Sequence, residues 1–264
     1  MTIVASVKVR DGLVLGTDSM TTIATRDGRV LKAYSNANKL FRLGDCPIGV
    51  MTWGIGNVGE LSIGGVVRDF AKSADPDVFR DIGATAQALF DYIKPAHVAA
   101  FPGAQAGQNL DLGLYVGGFS EDRPLSHEYE FLLPRDAAPL EVRAPAQLGS
   151  SWRGVDRPFS RLAIGVDRLG MDALKQRGMT DAELEQILQQ TRLQVIFDGM
   201  PVQDAINYCS FILDTTIGWA AFHWGSQSCA RPLQVAAILP GDGFRWISRP
   251  DFSVPSMEPI GGAA

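Results

Sequence analysis

The chain opens with two β-branched, apolar runs, residues 2–9 (Thr-Ile-Val-Ala-Ser-Val-Lys-Val) and 12–17 (Gly-Leu-Val-Leu-Gly-Thr), separated by Arg10 and Asp11. Asp11-Gly12 is a short-range hairpin signal, so the pair predicts an N-terminal β-hairpin. Three further runs, 29–31, 39–43 and 48–53, are each too short for a helix and are bounded by Gly, Asn or Pro. They extend the hairpin into an antiparallel meander.

From about Val58 the apolar spacing becomes helical, with Val58, Leu61, Val66, Val67 and Phe70 on one face. Pro76 breaks that helix, and a second is expected over 79–93. Residues 110–119 alternate again, and 129–133 continue the strand character. After a Pro-containing turn, Thr180-Asp181-Ala182-Glu183 reads as a capping box, with Met179 and Leu184 placed as a hydrophobic staple. It opens a helix through about 197, and Pro201 starts another through about 222. Strands over 233–239 and 244–247 surround Gly241-Asp242-Gly243. This order predicts an α+β fold, a four-layer αββα sandwich of two antiparallel sheets, rather than an alternating parallel βα sheet. A single domain is expected over 1–249, followed by a Pro/Gly-rich tail over 250–264.

The 264 residues suffice for one full core. A net charge of −5 with no long run of basic residues argues against a nucleic-acid partner. No apolar stretch reaches the roughly 20 residues that span a bilayer. Lys8, Arg10 and Asp11 interrupt the N-terminal apolar run, which excludes a signal-peptide core, so a cytoplasmic location without membrane contact is expected. Cys46, Cys209 and Cys229 form no CxxC pair, and His97, His127 and His223 are far apart. Reduced buried thiols are expected, with no metal site and no cofactor.

The opening residues, Thr2 through Val9 and then Asp11-Gly12-Leu13-Val14-Leu15-Gly16-Thr17-Asp18-Ser19, resemble those of proteasome β subunits and their bacterial relatives. Asp18 falls sixteen residues after Thr2 and is followed by Ser19, as in that family. Lys39-Leu40-Phe41 matches the family's lysine, after a hairpin about five residues longer than usual. Lys32 is the rival for that position. The resemblance implies an N-terminal-nucleophile (Ntn) hydrolase whose nucleophile is Thr2 once Met1 is excised, which the small side chain of Thr permits.

The chemistry requires these residue types. A Thr hydroxyl is a weak nucleophile, and a free α-amine, with a reference pKa of about 7.7–8, can serve as its base. A Lys39 ammonium would lower the pKa of hydroxyl and amine, and Asp18 would hold that lysine charged and oriented. Taken singly, Thr2 is the first residue of an edge strand, Asp18 a turn cap and Lys39 a surface charge.

Gly54-Ile55-Gly56-Asn57-Val58-Gly59 is a literal G-x-G-x-x-G, but no second parallel strand ending in an acid follows about 20 residues later, which removes the dinucleotide reading. The resemblance instead places here the backbone N–H that stabilises an oxyanion, assigned to Gly54, with Trp53 the gapless alternative. In Leu148-Gly149-Ser150-Ser151-Trp152, Ser150 matches the family's Ser that contacts the N-terminal amine, although a plain Gly-Ser turn reads equally well. The family's Asp and Ser before the penultimate strand fall within 226–231, where there is no aspartate and only Ser226 or Ser228 can substitute. His223, beside Trp224, reads as a helix-terminal or packed residue. The resemblance thus implies a threonine peptidase or amidohydrolase acting on a peptide or amide substrate within a homo-oligomer, with no unfoldase partner identifiable. The alternatives are a non-catalytic assembly subunit and an Ntn transpeptidase or small-amide hydrolase.

Overall fold

The computed structural model describes residues 2–25, 30–107, 110–224, 227–250 and 252. Strand β1 (Ile3–Val9) pairs antiparallel with β2 (Gly12–Thr17), with Val9 opposite Gly12, as the Asp-Gly signal predicts. Every residue of both strands is buried, so the hairpin lies inside the protein with both faces covered.

The meander differs from the sequence pattern. Strands β3 (Thr21–Ala24) and β4 (Val30–Tyr34) pair with each other as a separate two-stranded ribbon. The 39–43 run supplies β5 (Leu40–Arg42), whose partner is β6 (Ile48–Gly54). A second small ribbon, β7 (Asn57–Val58) with β8 (Leu61–Ser62), takes residues that the spacing assigns to a helix. Gly59, at φ +59°, turns this ribbon. Helix α1 (Ile63–Ser73) therefore starts only where the Ser62 hydroxyl accepts the Gly65 N–H at 3.1 Å and caps it.

A 3-10 turn over Pro76–Arg80 leads into α2 (Ile82–Ala100), which outruns the expected 79–93 because its buried stripe continues from Ile93 to His97. Strands β9 (Leu112–Gly118), β10 (His127–Leu133), β11 (Leu140–Glu141) and β12 (Gly149–Gly154) follow. Two helices not anticipated from sequence come next, α3 (Arg157–Ile164) and α4 (Arg168–Gln176). They are joined through the Asp167 carboxylate, which accepts from Arg157, Arg161 and the Gly170 N–H.

Helix α5 (Asp181–Thr191) has both halves of the Thr180–Glu183 capping box. It ends before the expected 197 because the chain must turn Ile196 and Met200 onto the core. Helix α6 (Val202–Phe222) and strands β13 (Gln234–Leu239) and β14 (Gly243–Ser248) match the expected elements. The 250–264 tail lies almost wholly outside the described residues.

Two five-stranded antiparallel sheets result, in the orders β12-β1-β2-β13-β14 and β11-β10-β9-β6-β5. One apolar cluster joins Ile3, Ala5, Val7 and Val9 to Cys209, Ile212 and Leu213 of α6. A second joins Val66 and Phe70 of α1 and Leu89 and Ile93 of α2 to Val50, Leu114 and Phe131 of the other sheet. A third contains residues of both sheets, among them Val4, Leu15, Met51 and Tyr115. The period of two along β1 thus sends its odd residues towards α6 and its even residues, Val4, Ser6 and Lys8, towards the second sheet. Gly16 permits the close seating of α6, since a Cβ there would lie 2.6 Å from Cys209 Sγ. Among the described residues, no helix is long and apolar enough to cross a membrane.

Candidate active site

The start of β1, the end of β2 and the start of β5 converge on the Asp18 carboxylate, which is fully buried. Its Oδ1 accepts the Ile3 N–H at 3.2 Å and the Lys39 ammonium at 2.8 Å. Its Oδ2 accepts the N–H groups of Met20 at 2.9 Å and Ala230 at 3.2 Å. Four donors from four separate segments therefore meet on one side chain, the arrangement that makes burial of a carboxylate tolerable. The Asp18 N–H in turn donates to the Ile3 carbonyl at 3.2 Å, locking the two segments reciprocally.

Lys39 immediately precedes β5, and only 7% of its side chain is exposed. Burial pushes its ammonium below the ordinary lysine range, and the charge of Asp18 pulls in the opposite direction. Because Lys39 Nζ and the Ile3 N–H share one oxygen atom, the ammonium sits beside the first residues of β1. Lys32, the rival candidate, is exposed on β4 over the Tyr34 ring. It makes no ion pair among the described residues.

Thr2 is 95% buried, and its carbonyl accepts the Val155 N–H at 2.8 Å. Gly154, at φ +89°, lies against that carbonyl, where a Cβ would collide with it. Gly54 ends β6 at φ +92° opposite Leu112. The Thr52 N–H donates to the Lys39 carbonyl and the Ile55 N–H to the Asp111 carbonyl, so alternation along the strand directs the Gly54 N–H to the Lys39 side. The Trp53 ring lies over Gly113 instead.

Ser150 does not join this group. The β1–β12 register sets Ser150 opposite Val7 and brings Gly154 opposite Ile3, so the expected contact of Ser150 with the N-terminal amine is corrected. The physical reason is the length of β12: the Gly-Ser segment begins the strand, and the strand's far end reaches Thr2. Ser226 lies outside the described residues, and Ser228 is buried. From the 227–231 segment it is backbone that reaches the site, the Ala230 N–H to Asp18 and the Ala230 carbonyl to the Ser19 N–H.

Gln234, fully buried at the start of β13, is a residue that sequence reasoning missed. Its Oε1 accepts the N–H groups of Lys39 at 3.0 Å and Leu40 at 3.1 Å, and its Nε2 donates to Ser19 Oγ and the Ala37 carbonyl. One amide thereby fixes the backbone that carries Lys39. Only a polar residue in an otherwise apolar closing strand hints at it. Cys229 lies close enough to feel the charges of Asp18 and Lys39, but burial pushes its thiol up to about 12, which leaves it protonated and unreactive. His223 ends α6 with its ring 4.2 Å from that of Trp219, a packed terminal residue.

No family model and no curated protein sequence matches the chain. Among solved structures, the fold is similar to Anbu (ancestral beta-subunit) from Yersinia bercovieri, with a TM-score of 0.59 at 12% identity, covering 93% of this chain and 87% of that one. It is also similar to the Gly-1 mutant of Anbu from Hyphomicrobium sp. strain MC1, with a TM-score of 0.55 at 13% identity and coverages of 94% and 88%. At such identities the likeness shows the fold alone, and that fold is the one seen in Anbu.

Proposed function

We propose that this protein is a threonine-type Ntn peptidase or amidohydrolase in which Thr2, exposed as the N-terminus by removal of Met1, is the nucleophile. The two sheets with their outer helices are read as one four-layer αββα domain. The observation that carries the functional reading is the Asp18 oxygen shared by the Ile3 N–H and the Lys39 ammonium.

In the proposed reaction the Thr2 hydroxyl attacks a substrate carbonyl and its proton passes to the α-amine of the same residue. The Lys39 ammonium favours the deprotonated hydroxyl, and Asp18 fixes Lys39 by ion pair. The Gly54 N–H meets the developing oxyanion, an interaction whose loss typically costs about 3–4 kcal/mol in the transition state. The protonated amine passes its proton to the leaving amine, and water then releases the acyl group from Thr2 Oγ. A soluble homo-oligomer in the cytoplasm is the setting this reading assumes.

A second reading, a non-catalytic assembly subunit, is favoured by one observation: the 227–231 segment meets the site with backbone and brings no carboxylate. Intact mass before and after exposure to an electrophilic threonine-directed probe separates the two. Loss of Met1 with a single adduct on Thr2, absent from Thr2→Ala, is the expected result. Retained Met1 with no adduct would sink the catalytic reading in favour of the second.

A further inference from the structure

The Gly149-Ser150-Ser151 segment, which the Thr2 site leaves unused, borders a cavity of about 440 Å³. The cavity lies between β12, the end of α3, α6 and the 192–196 segment that follows α5. Its polar lining comes from Arg143, Arg192, Ser150, Ser151 and Tyr208, together with three glutamines. It contains no acidic residue, although the chain as a whole carries a charge of −5.

Arg143 is a built component rather than a surface charge. Its side chain is only 7% exposed, and its Nε lies 2.8 Å from Oε2 of Glu128, a carboxylate with no exposure. Glu128 is held from the other side by Ser6 Oγ at 3.0 Å and by the Tyr115 hydroxyl. Arg143 Nη2 donates to Ser151 Oγ, and Nη1 lies over Gly149, where any side chain would strike it. Lys8, 1% exposed, donates to the Ser126 carbonyl at 2.5 Å and adds a second cation near Glu128. The buried Glu128 carboxylate thus lies beside two buried cations, Arg143 and Lys8, with the partly exposed Glu141 carboxylate also near Lys8. Across the cavity, Arg192 makes no ion pair among the described residues and lines the wall together with Tyr208 and Ser150.

We propose that this cavity binds a small organic or inorganic oxyanion, a carboxylate or a phosphate, between the Arg143 and Arg192 guanidinium groups, with Ser150 and Tyr208 as hydroxyl donors. Paired guanidinium groups match such oxygens in both charge and geometry. The volume falls in the range of small-molecule sites, about 300–1,000 Å³, and admits a ligand of dipeptide size. The site is separate from Thr2. Ser150 pairs with Val7, five residues beyond Thr2 and so about 17 Å along the strand at roughly 3.4 Å per residue. The proposal therefore stands without the peptidase reading.

Calorimetric titration of the full chain with N-acetyl-alanyl-alanine, with its C-terminal amide and with inorganic phosphate tests it. Arg192→Ala is the chosen variant because Arg192 is exposed, so the fold should survive, and circular dichroism confirms this. The expected result is binding of the free acid or of phosphate, lost at least tenfold in Arg192→Ala. The amide should bind at least tenfold more weakly than the acid, and the arm that binds identifies the oxyanion. Failure of both anions at millimolar concentration, or affinity unchanged in Arg192→Ala, overturns the proposal.

Discussion

The asymmetry between the two partners of the buried ion pair is open to direct measurement. Lys39→Met removes one of the four donors to Asp18, while the N–H groups of Ile3, Met20 and Ala230 remain in place. A hydrogen bond to a charged group contributes about 1.5–3 kcal/mol, so this variant should lose roughly that much stability and still fold. Asp18→Leu acts on the opposite side. It strands an ammonium that is 7% exposed, at a cost of about 3–5 kcal/mol, and orphans three backbone N–H groups at about 1–3 kcal/mol each. Even the low end of these figures reaches roughly 6 kcal/mol, as large as the whole stability of many domains. Urea unfolding at pH 7, followed by circular dichroism, should show a lowered midpoint with unchanged slope for Lys39→Met and no cooperative transition for Asp18→Leu. If Asp18→Leu instead lost no more than Lys39→Met, Asp18 would not be the group that joins these four segments.

Gln234→Leu removes the shared partner of Ser19, Lys39 and Leu40, all buried, and should cost about 3 kcal/mol or more, seen in the same unfolding assay. A loss under 1 kcal/mol would show that other groups hold Lys39. Gly154→Ala meets a positive φ and the Thr2 carbonyl at once, so a strain of roughly 1–3 kcal/mol is expected, read as a melting temperature several degrees lower. Asp167, held by the Gly170 N–H and then by Arg157 and Arg161, has its carboxyl lowered from 3.8 to about 2. Between these two values the folded state therefore binds fewer protons than the unfolded chain. The contribution is complete above about 3.8 and disappears as pH falls through about 2. Asp167→Asn should flatten the acid limb of the stability curve in that window, and an unchanged limb in a melting series would refute the assignment.

What could be read from sequence was what neighbouring residues decide. The Asp11-Gly12 hairpin, the Thr180–Glu183 capping box and the long apolar helix from Val202 each depend on contacts a few residues apart. Asp18 and Lys39 were legible because a familiar spacing carried them, and the structure joins them at 2.8 Å. Helix starts and ends were less legible: α1 gave way to the β7–β8 ribbon, and α5 yielded to the burial of Ile196.

The tertiary structure decided what depends on register and on distant partners. Ser150 and Gly154 both belong to one short segment, and only the pairing of β12 with β1 sets Gly154 at Thr2 and sends Ser150 to the opposite end. A strand's side chains alternate, but nothing within β12 states which residue of β1 it will face. Gln234 bonds Lys39 across 195 positions of chain, and Arg143 meets Glu128 only after two sheets have packed. The sequence by itself determined the N-terminal hairpin, the capped start of α5, the long helix α6 and the candidate residues Thr2, Asp18 and Lys39. Their convergence on Asp18, and the separate cationic cavity, came from packing, because long-range side-chain contacts exist only once the sheets are in place.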